Sequence, residues 1–217
     1  MSDDRVFVVD DNATARSSLR ALLESAGYEV VDFASAVDFL DQDESQGSCL
    51  IADIRMPDMS GMELHETLVK RGSKLPVIFI TGYGSVPLTV RAMNAGAIDF
   101  LEKPFDDETL LVSLRKALGI SKREREISKE AATANELISQ LTPRELEVLE
   151  QLVAGRSSKL VASELNISPR TVEVHRAHIK SKLHARCLSD LVRTALAASR
   201  QAVPNLRGGG QDQSPES

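Results

Sequence analysis

The sequence predicts an α/β chain, with a doubly wound five-stranded parallel sheet over residues 1–120 and a separate all-α domain over residues 140–203. Three observations predict it. Between residues 5 and 118 short apolar runs alternate strictly with amphipathic segments, five of each. Beyond residue 140 the apolar positions recur only at helical spacing. The charge also changes sign: 11 Lys+Arg stand against 20 Asp+Glu over 1–120, four against four over 121–139, and ten against six over 140–203. An acidic half joined to a basic quarter implies two domains with different partners, and the basic one is a candidate for nucleic acid.

The elements follow in order. "RVFVVD" reads as the first strand. "ATARSSLRALLESAG" is a helix whose face carries Ala15, Leu19, Leu22, Leu23 and Ala26, stopped by Gly27. "YEVVDF" is a strand and "SAVDFLDQ" a short helix. "SCLIADI" is apolar throughout, as a strand covered on both faces must be. "GMELHETLVKRG" is a helix ended by Gly72, and "LPVIFIT" a strand introduced by Pro76. "VPLTVRAMNAG" is a helix ended by Gly96, "AIDFLEKPF" a strand with its loop, and "DDETLLVSLRKALG" a helix with acids in its first turn and bases in its last. Such alternation requires a parallel sheet with helices on both faces, joined by right-handed crossovers.

Residues 121–139 read as a polar linker, helical if it continues the preceding helix. In "TPRELEVLEQLVAG", Thr142 is placed to cap, Pro143 sits at the first helical position, and Glu145 completes a capping box. "SSKLVASELN", "ISPRTVEVHRAHIKSKL" and "LSDLVRTALAAS" are three further helices. The Gly-, Ser-, Pro- and Gln-rich tail, 204–217, is expected to be disordered. Without a transmembrane-length apolar run or a basic-then-apolar leader in "MSDDR", a cytoplasmic protein with no membrane partner is expected. Cys49 and Cys187 lack metal-type spacing and read as small, semi-buried apolar residues.

Asp10 and Asp11 close the first strand side by side. Like charges repel, so this is either a turn with a helix cap or a pair that awaits a cation. In doubly wound sheets ligands bind beyond the carboxyl ends of the strands. Asp10, Asp11, Asp53, Thr81 and Lys103 all fall there, which brings distant positions to one sheet edge. Several carboxylates suit Mg2+, which keeps waters and bridges to phosphate. Lys103 adds a fixed positive charge and Thr81 a hydroxyl for an oxyanion. The set suits phosphoryl transfer, with Asp53 as the acceptor.

The blocks Asp10–Asp11, "ADIRMPDMSGMEL" around Asp53, "ITGYGS" with Thr81 and "DFLEKPF" with Lys103 resemble a two-component receiver domain with its flavodoxin-like fold, over about residues 1–120. That resemblance implies that a partner histidine kinase phosphorylates Asp53. It implies that Asp10, Asp11, Asp53 and the Arg55 backbone carbonyl hold Mg2+, that Thr81 and Lys103 contact the phosphoryl group, and that Thr81 and Phe100 form the switch.

"LTPRELEVLEQLVAGRSSKLVASELNISPRTVEVHRAHIKSKLHAR" resembles the helix-turn-helix of the NarL/LuxR class. Val172, Ile179 and Leu183 share a core-facing spacing. Glu173, Val174 and Ala177 fall on or beside the groove face. Arg170, Arg176, Lys180 and Lys182 suit phosphates, with Lys159 and Arg156 before them, and Thr171 completes the candidate DNA contacts. His175 and His178 are read as structural rather than as a metal pair. "TGYGSVPLTVRAMNAGAIDFLEKPF" and "PRTVEVHRAHI" are most similar to the FixJ-like subgroup, although "GYGS" stands where Gly-His-Gly-Asp is more usual.

The resemblance implies a transcriptional response regulator that dimerises on phosphorylation, binds double-stranded promoter DNA and works with RNA polymerase. By the same resemblance it is expected not to be an enzyme beyond accepting a phosphoryl group on its own Asp53. One rival reading is a phosphorylation-independent DNA-binding scaffold, against which Asp53, Thr81 and Lys103 argue. The other is an aspartate-based phosphatase, whose Asp-x-Asp signature is replaced here by Asp10–Asp11–Asn12.

Overall fold

A computed structural model describes residues 4–82 and 84–199. The expected disordered tail lies outside them. The chain divides into two compact units, 1–124 and 125–217.

In the first unit β1 (Arg5–Val9), β2 (Glu29–Phe33), β3 (Cys49–Asp53), β4 (Val77–Thr81) and β5 (Asp99–Glu102) form one sheet in the order β2-β1-β3-β4-β5. Every pairing is parallel. Between the strands run α1 (Ala13–Ser25), α2 (Ala36–Leu40), α3 (Gly61–Lys70) and α4 (Val86–Asn94). Because successive strand side chains point to opposite faces, each strand feeds two cores. Val6, Val8, Ile51, Ile78 and Ile80 pack with Leu19 and Leu23 of α1 and with Leu110 and Leu114 of the helix after β5. Phe7, Val9, Leu50, Ala52 and Phe79 pack with Phe39 of α2, Leu64 and Leu68 of α3 and Ala92 of α4. Phe7, Phe33 and Phe39 meet edge to face, with centroids 5.3–5.9 Å apart.

β3 and β4 are buried at all five positions, as their uninterrupted apolar sequences require. Only one of the five β2 residues is fully buried, as suits a sheet edge. Gly27, Gly72 and Gly96 take positive φ just past their helices, the conformation that ends a helix most easily without a Cβ. Gly119 does not stop its helix. α5 runs from Asp107 to Ser139, through the segment read as a linker. Propensity outweighs one glycine there, because the residues that follow are strong helix formers.

The second unit contains the end of α5 with α6 (Pro143–Val153), α7 (Ser158–Glu164), α8 (Pro169–Lys182) and α9 (Leu188–Ser199). Val148, Leu149, Leu152, Val161, Val172, Ile179, Leu183 and Leu191 form its core. Thr142 and Glu145 make the expected capping box. Cys49 is buried, but Cys187 is exposed, against the semi-buried expectation: it precedes α9, where its sulfur lies 2.9 Å from Ser189 Oγ. No helix among the described residues is long and apolar enough to cross a membrane.

Candidate functional site

The register puts the ends of β1, β3 and β4 side by side, with Val9 beside Ala52 and Asp53 beside Ile80. The residues at those ends therefore meet. Asp10 follows β1 at 2% exposure, Asp53 ends β3 at 8%, and Thr81 ends β4 fully buried. Lys103 follows β5, and its backbone N–H donates to the Thr81 carbonyl at 2.8 Å. Lys103 Nζ then reaches back across the sheet edge and donates to Asp10 Oδ2 at 2.8 Å and to Asp53 Oδ1 at 2.9 Å. One ammonium thus joins two buried carboxylates that are 43 residues apart in the chain.

The other carboxylate oxygens are used locally. Asn12 N–H donates to Asp10 Oδ1 at 2.8 Å, and Arg55 N–H to Asp53 Oδ2 at 2.7 Å. Burial pushes the Asp53 carboxyl above its ordinary pKa, although Lys103 and the Arg55 N–H pull it down. Burial also works against the Lys103 ammonium, but its hydrogen bonds to Asp10 and Asp53 outweigh that and hold its pKa above the ordinary lysine value.

The choice left open for the two acids is resolved in part. Asn12, rather than Asp11, caps α1, accepting from Thr14 and Ala15 N–H. Asp11 is exposed. Arg16 pins the loop by donating to the Asp10 carbonyl at 2.7 Å and the Asp11 carbonyl at 3.1 Å. Sequence reasoning missed Arg16, because an arginine on a polar helix face carries no signal of its partner. Gly61, which opens α3, passes so close to Asp53 that an added Cβ would lie 2.2 Å from the Asp53 carbonyl oxygen. Phe100 is half-buried and packs against the core on the α2–α4 face. Gly84 N–H donates to Glu102 Oε1 at 3.1 Å, which ties the β4–α4 loop to β5.

Among the described residues no group of three or more His, Cys, Asp or Glu side chains is gathered around a metal site. Mg2+ needs fewer, because one or two protein carboxylates with water and phosphate oxygens suffice. Asp10 and Asp53, buried and bridged by the Lys103 ammonium, are hard oxygen donors of the kind it takes, so the residues present fit the ion.

In the second unit Glu173, Val174 and Ala177 of α8 are exposed together, as are Arg170 and Lys159. Thr171 helps close the start of α8, with its Oγ1 2.8 Å from Ser168 Oγ. Lys180 is half-buried. Three candidate phosphate contacts have protein partners. Arg156 pairs with Glu164. Arg176 donates to Ser158 at 2.6 Å and lies 3.3 Å from Glu173. Lys182 donates to Glu145 at 2.7 Å. That bond, with the Thr142 N–H, lowers the pKa of the 3%-exposed Glu145 to about 2. The capping box was legible in sequence, but the tie from its glutamate to the end of α8 was not. His175 is half-buried, and His178 is exposed with its Nδ1 3.7 Å from Glu145 Oε1.

A five-stranded parallel sheet with this acidic edge is thus followed in the chain by an all-helical unit. Residues 6–115 match the response regulator receiver domain family, and residues 139–195 match the bacterial regulatory proteins of the luxR family. The chain is 43% identical to the transcriptional regulatory protein FixJ of Bradyrhizobium diazoefficiens over 89% of this chain and 95% of that protein. It is 45% identical to FixJ of Azorhizobium caulinodans over 89% and 92%. The solved structure of the response regulator StyR matches with a TM-score of 0.78 and 43% identity, covering 90% of this chain and 99% of that one. Full-length FixJ from B. japonicum matches with a TM-score of 0.54 and 41% identity, covering 92% and 99%. The chain belongs to the two-component response regulators of the NarL/LuxR class, in the FixJ-like group, and is a transcriptional regulator with a LuxR-type DNA-binding domain.

Proposed function

We propose that the protein is switched by phosphorylation of Asp53 by a partner histidine kinase, and that phosphorylation promotes homodimerisation and promoter binding. The observation that carries this reading is the Lys103 bridge between Asp10 and Asp53, beside the buried Thr81. The Asp53 carboxylate attacks phosphorus, a P–O bond forms, and the P–N bond to the kinase histidine breaks. Asp10, Asp11, Asp53 and the Arg55 carbonyl would hold Mg2+, which supplies neutralising charge for the phosphoryl oxygens. Lys103 moves its ammonium from the paired carboxylates to the new phosphoryl oxygens. Thr81 turns its hydroxyl to them, and Phe100 follows it inward. The β4–α4 loop and α4 then shift between two states. Two DNA-binding units, contacting DNA through Lys159, Arg170, Thr171, Glu173, Val174, Arg176, Ala177, Lys180 and Lys182, read paired half-sites and act with RNA polymerase. The receiver is proposed to span 1–120, the helical linker 121–139 and the DNA-binding domain 140–203.

The test uses the full chain with a small phosphodonor and Mg2+, read by sedimentation and by DNA gel shift. The wild type dimerises and binds, while Asp53→Asn does neither. An Asp53→Asn protein that still dimerises on addition of the phosphodonor refutes the assignment.

A further inference from the structure

Glu173 presents a puzzle for a DNA-binding surface. It sits on α8 beside Val174 and Ala177 with its side chain 60% exposed, where a carboxylate would be repelled by phosphates. A carboxylate gains in the major groove only by accepting from a base amino group, and cytosine N4 is the donor that suits it. It must also be held in place, because a free glutamate loses rotamer entropy on binding.

The structure holds it from the neighbouring helix. Ser158, the first residue of α7, donates its hydroxyl to Glu173 Oε1 at 2.7 Å. The same Oγ accepts from Arg176 Nη1 at 2.6 Å, and Arg176 Nη1 lies 3.3 Å from Glu173 Oε1. A serine hydroxyl has one donor and two lone pairs, so it serves both partners at once. The Arg176 side chain is only 28% exposed, so the guanidinium is drawn in against the carboxylate and offsets its charge. Ser158 is not among the expected DNA contacts, and nothing in the spacing of "GRSSKLVASEL" marks it. It lies 15 residues before Glu173 and becomes its neighbour only through the packing of α7 on α8.

We propose that Ser158 is a positioning residue for sequence readout: with Arg176 it fixes the Glu173 carboxylate to accept from an exocyclic base amino group, cytosine N4 in the first instance. This rests on the DNA-binding reading of the second unit. Arg176 thereby acts on the glutamate through Nη1, in addition to standing among the proposed DNA contacts. Ser158 follows the cap residue Ser157, so alanine at 158 removes the hydroxyl without removing a cap.

The test is selection from a random double-stranded DNA library with the phosphodonor-treated full chain, followed by binding measurements on every single-base variant of the recovered site. The wild type recovers a site with one C·G-dependent position per half-site. Ser158→Ala loses about three- to tenfold of the discrimination at that position. Its binding to unrelated DNA and its salt slope stay unchanged, and Ser158→Thr restores the preference. Glu173→Ala abolishes the preference at the same position, and Ser158→Ala adds nothing to it. If Ser158→Ala leaves every base preference unchanged, or weakens all DNA equally, the positioning role is wrong while DNA binding stands. If the wild type retains no DNA, the DNA-binding reading itself fails.

Discussion

Replacing Lys103 with Met removes the ammonium that bridges Asp10 and Asp53 while keeping most of the apolar stem. The two carboxylate oxygens it joins lie 2.8 and 2.9 Å from Nζ, so they are less than about 6 Å apart. At an effective dielectric of about 20, two unit charges at that distance repel by about 3 kcal/mol. The lysine side chain is 29% exposed and water will enter, which lowers the expected loss to about 2 kcal/mol at neutral pH. The assay is urea unfolding followed by tyrosine fluorescence. The chain has two tyrosines and no tryptophan, and no tyrosine occurs in the sequence after residue 124, so the second unit contributes nothing to the signal. The midpoint should fall by roughly 1 M. Burial and the Asp10 charge already raise the Asp53 pKa, and Lys103 opposes them. Without Lys103 the native Asp53 carboxyl holds its proton to higher pH than it does in the unfolded chain. The defect is therefore absent at acid pH and grows as pH rises through the unfolded carboxylate range. Adding Asp10→Asn to Lys103→Met should recover most of the loss. An equal loss at pH 4 and pH 7, or no loss at either, refutes the pairing argument.

Three further outcomes are expected. Glu145→Gln keeps a capping side chain but loses the charge paired with Lys182. It should cost the second unit about 1–2 kcal/mol by calorimetry, allowing for a lysine that is 34% exposed. Because Glu145 titrates at about 2 against an ordinary 4.5, its wild-type contribution is complete above 4.5 and lost as pH falls towards 2, and the variant should lack that acid-side slope. Gly61→Ala forces the backbone away from the Asp53 carbonyl, costing about 1–3 kcal/mol and slowing phosphodonor uptake, measured by phosphate-affinity electrophoresis. Phe39→Ala empties the centre of the three-phenylalanine cluster and should cost about 3–5 kcal/mol in the tyrosine-detected unfolding curve.

Much of this molecule was fixed by local sequence. Strand and helix periodicity, the glycines after α1, α3 and α4, and the Thr142–Glu145 box depend on residues within one turn or one strand of each other. Their pattern therefore survives in one dimension. The rule that ligands bind at strand carboxyl ends was enough to group Asp10, Asp11, Asp53, Thr81 and Lys103 at one sheet edge. Tertiary structure decided which groups touch. Asp10, and not Asp11, shares Lys103 with Asp53, because β1 ends one residue before it and turns its carboxylate into the sheet edge. Arg176 and Lys182 read alike as surface cations, yet packing commits one to Ser158 and Glu173 and the other to Glu145. α5 ran through Gly119 because helix propensity sums over many residues and one glycine costs only about 1 kcal/mol. Sequence determines a side chain's chemistry and the face of the element it occupies. Its partner is set by long-range packing, since charges on a solvated face look the same until another helix is brought against them.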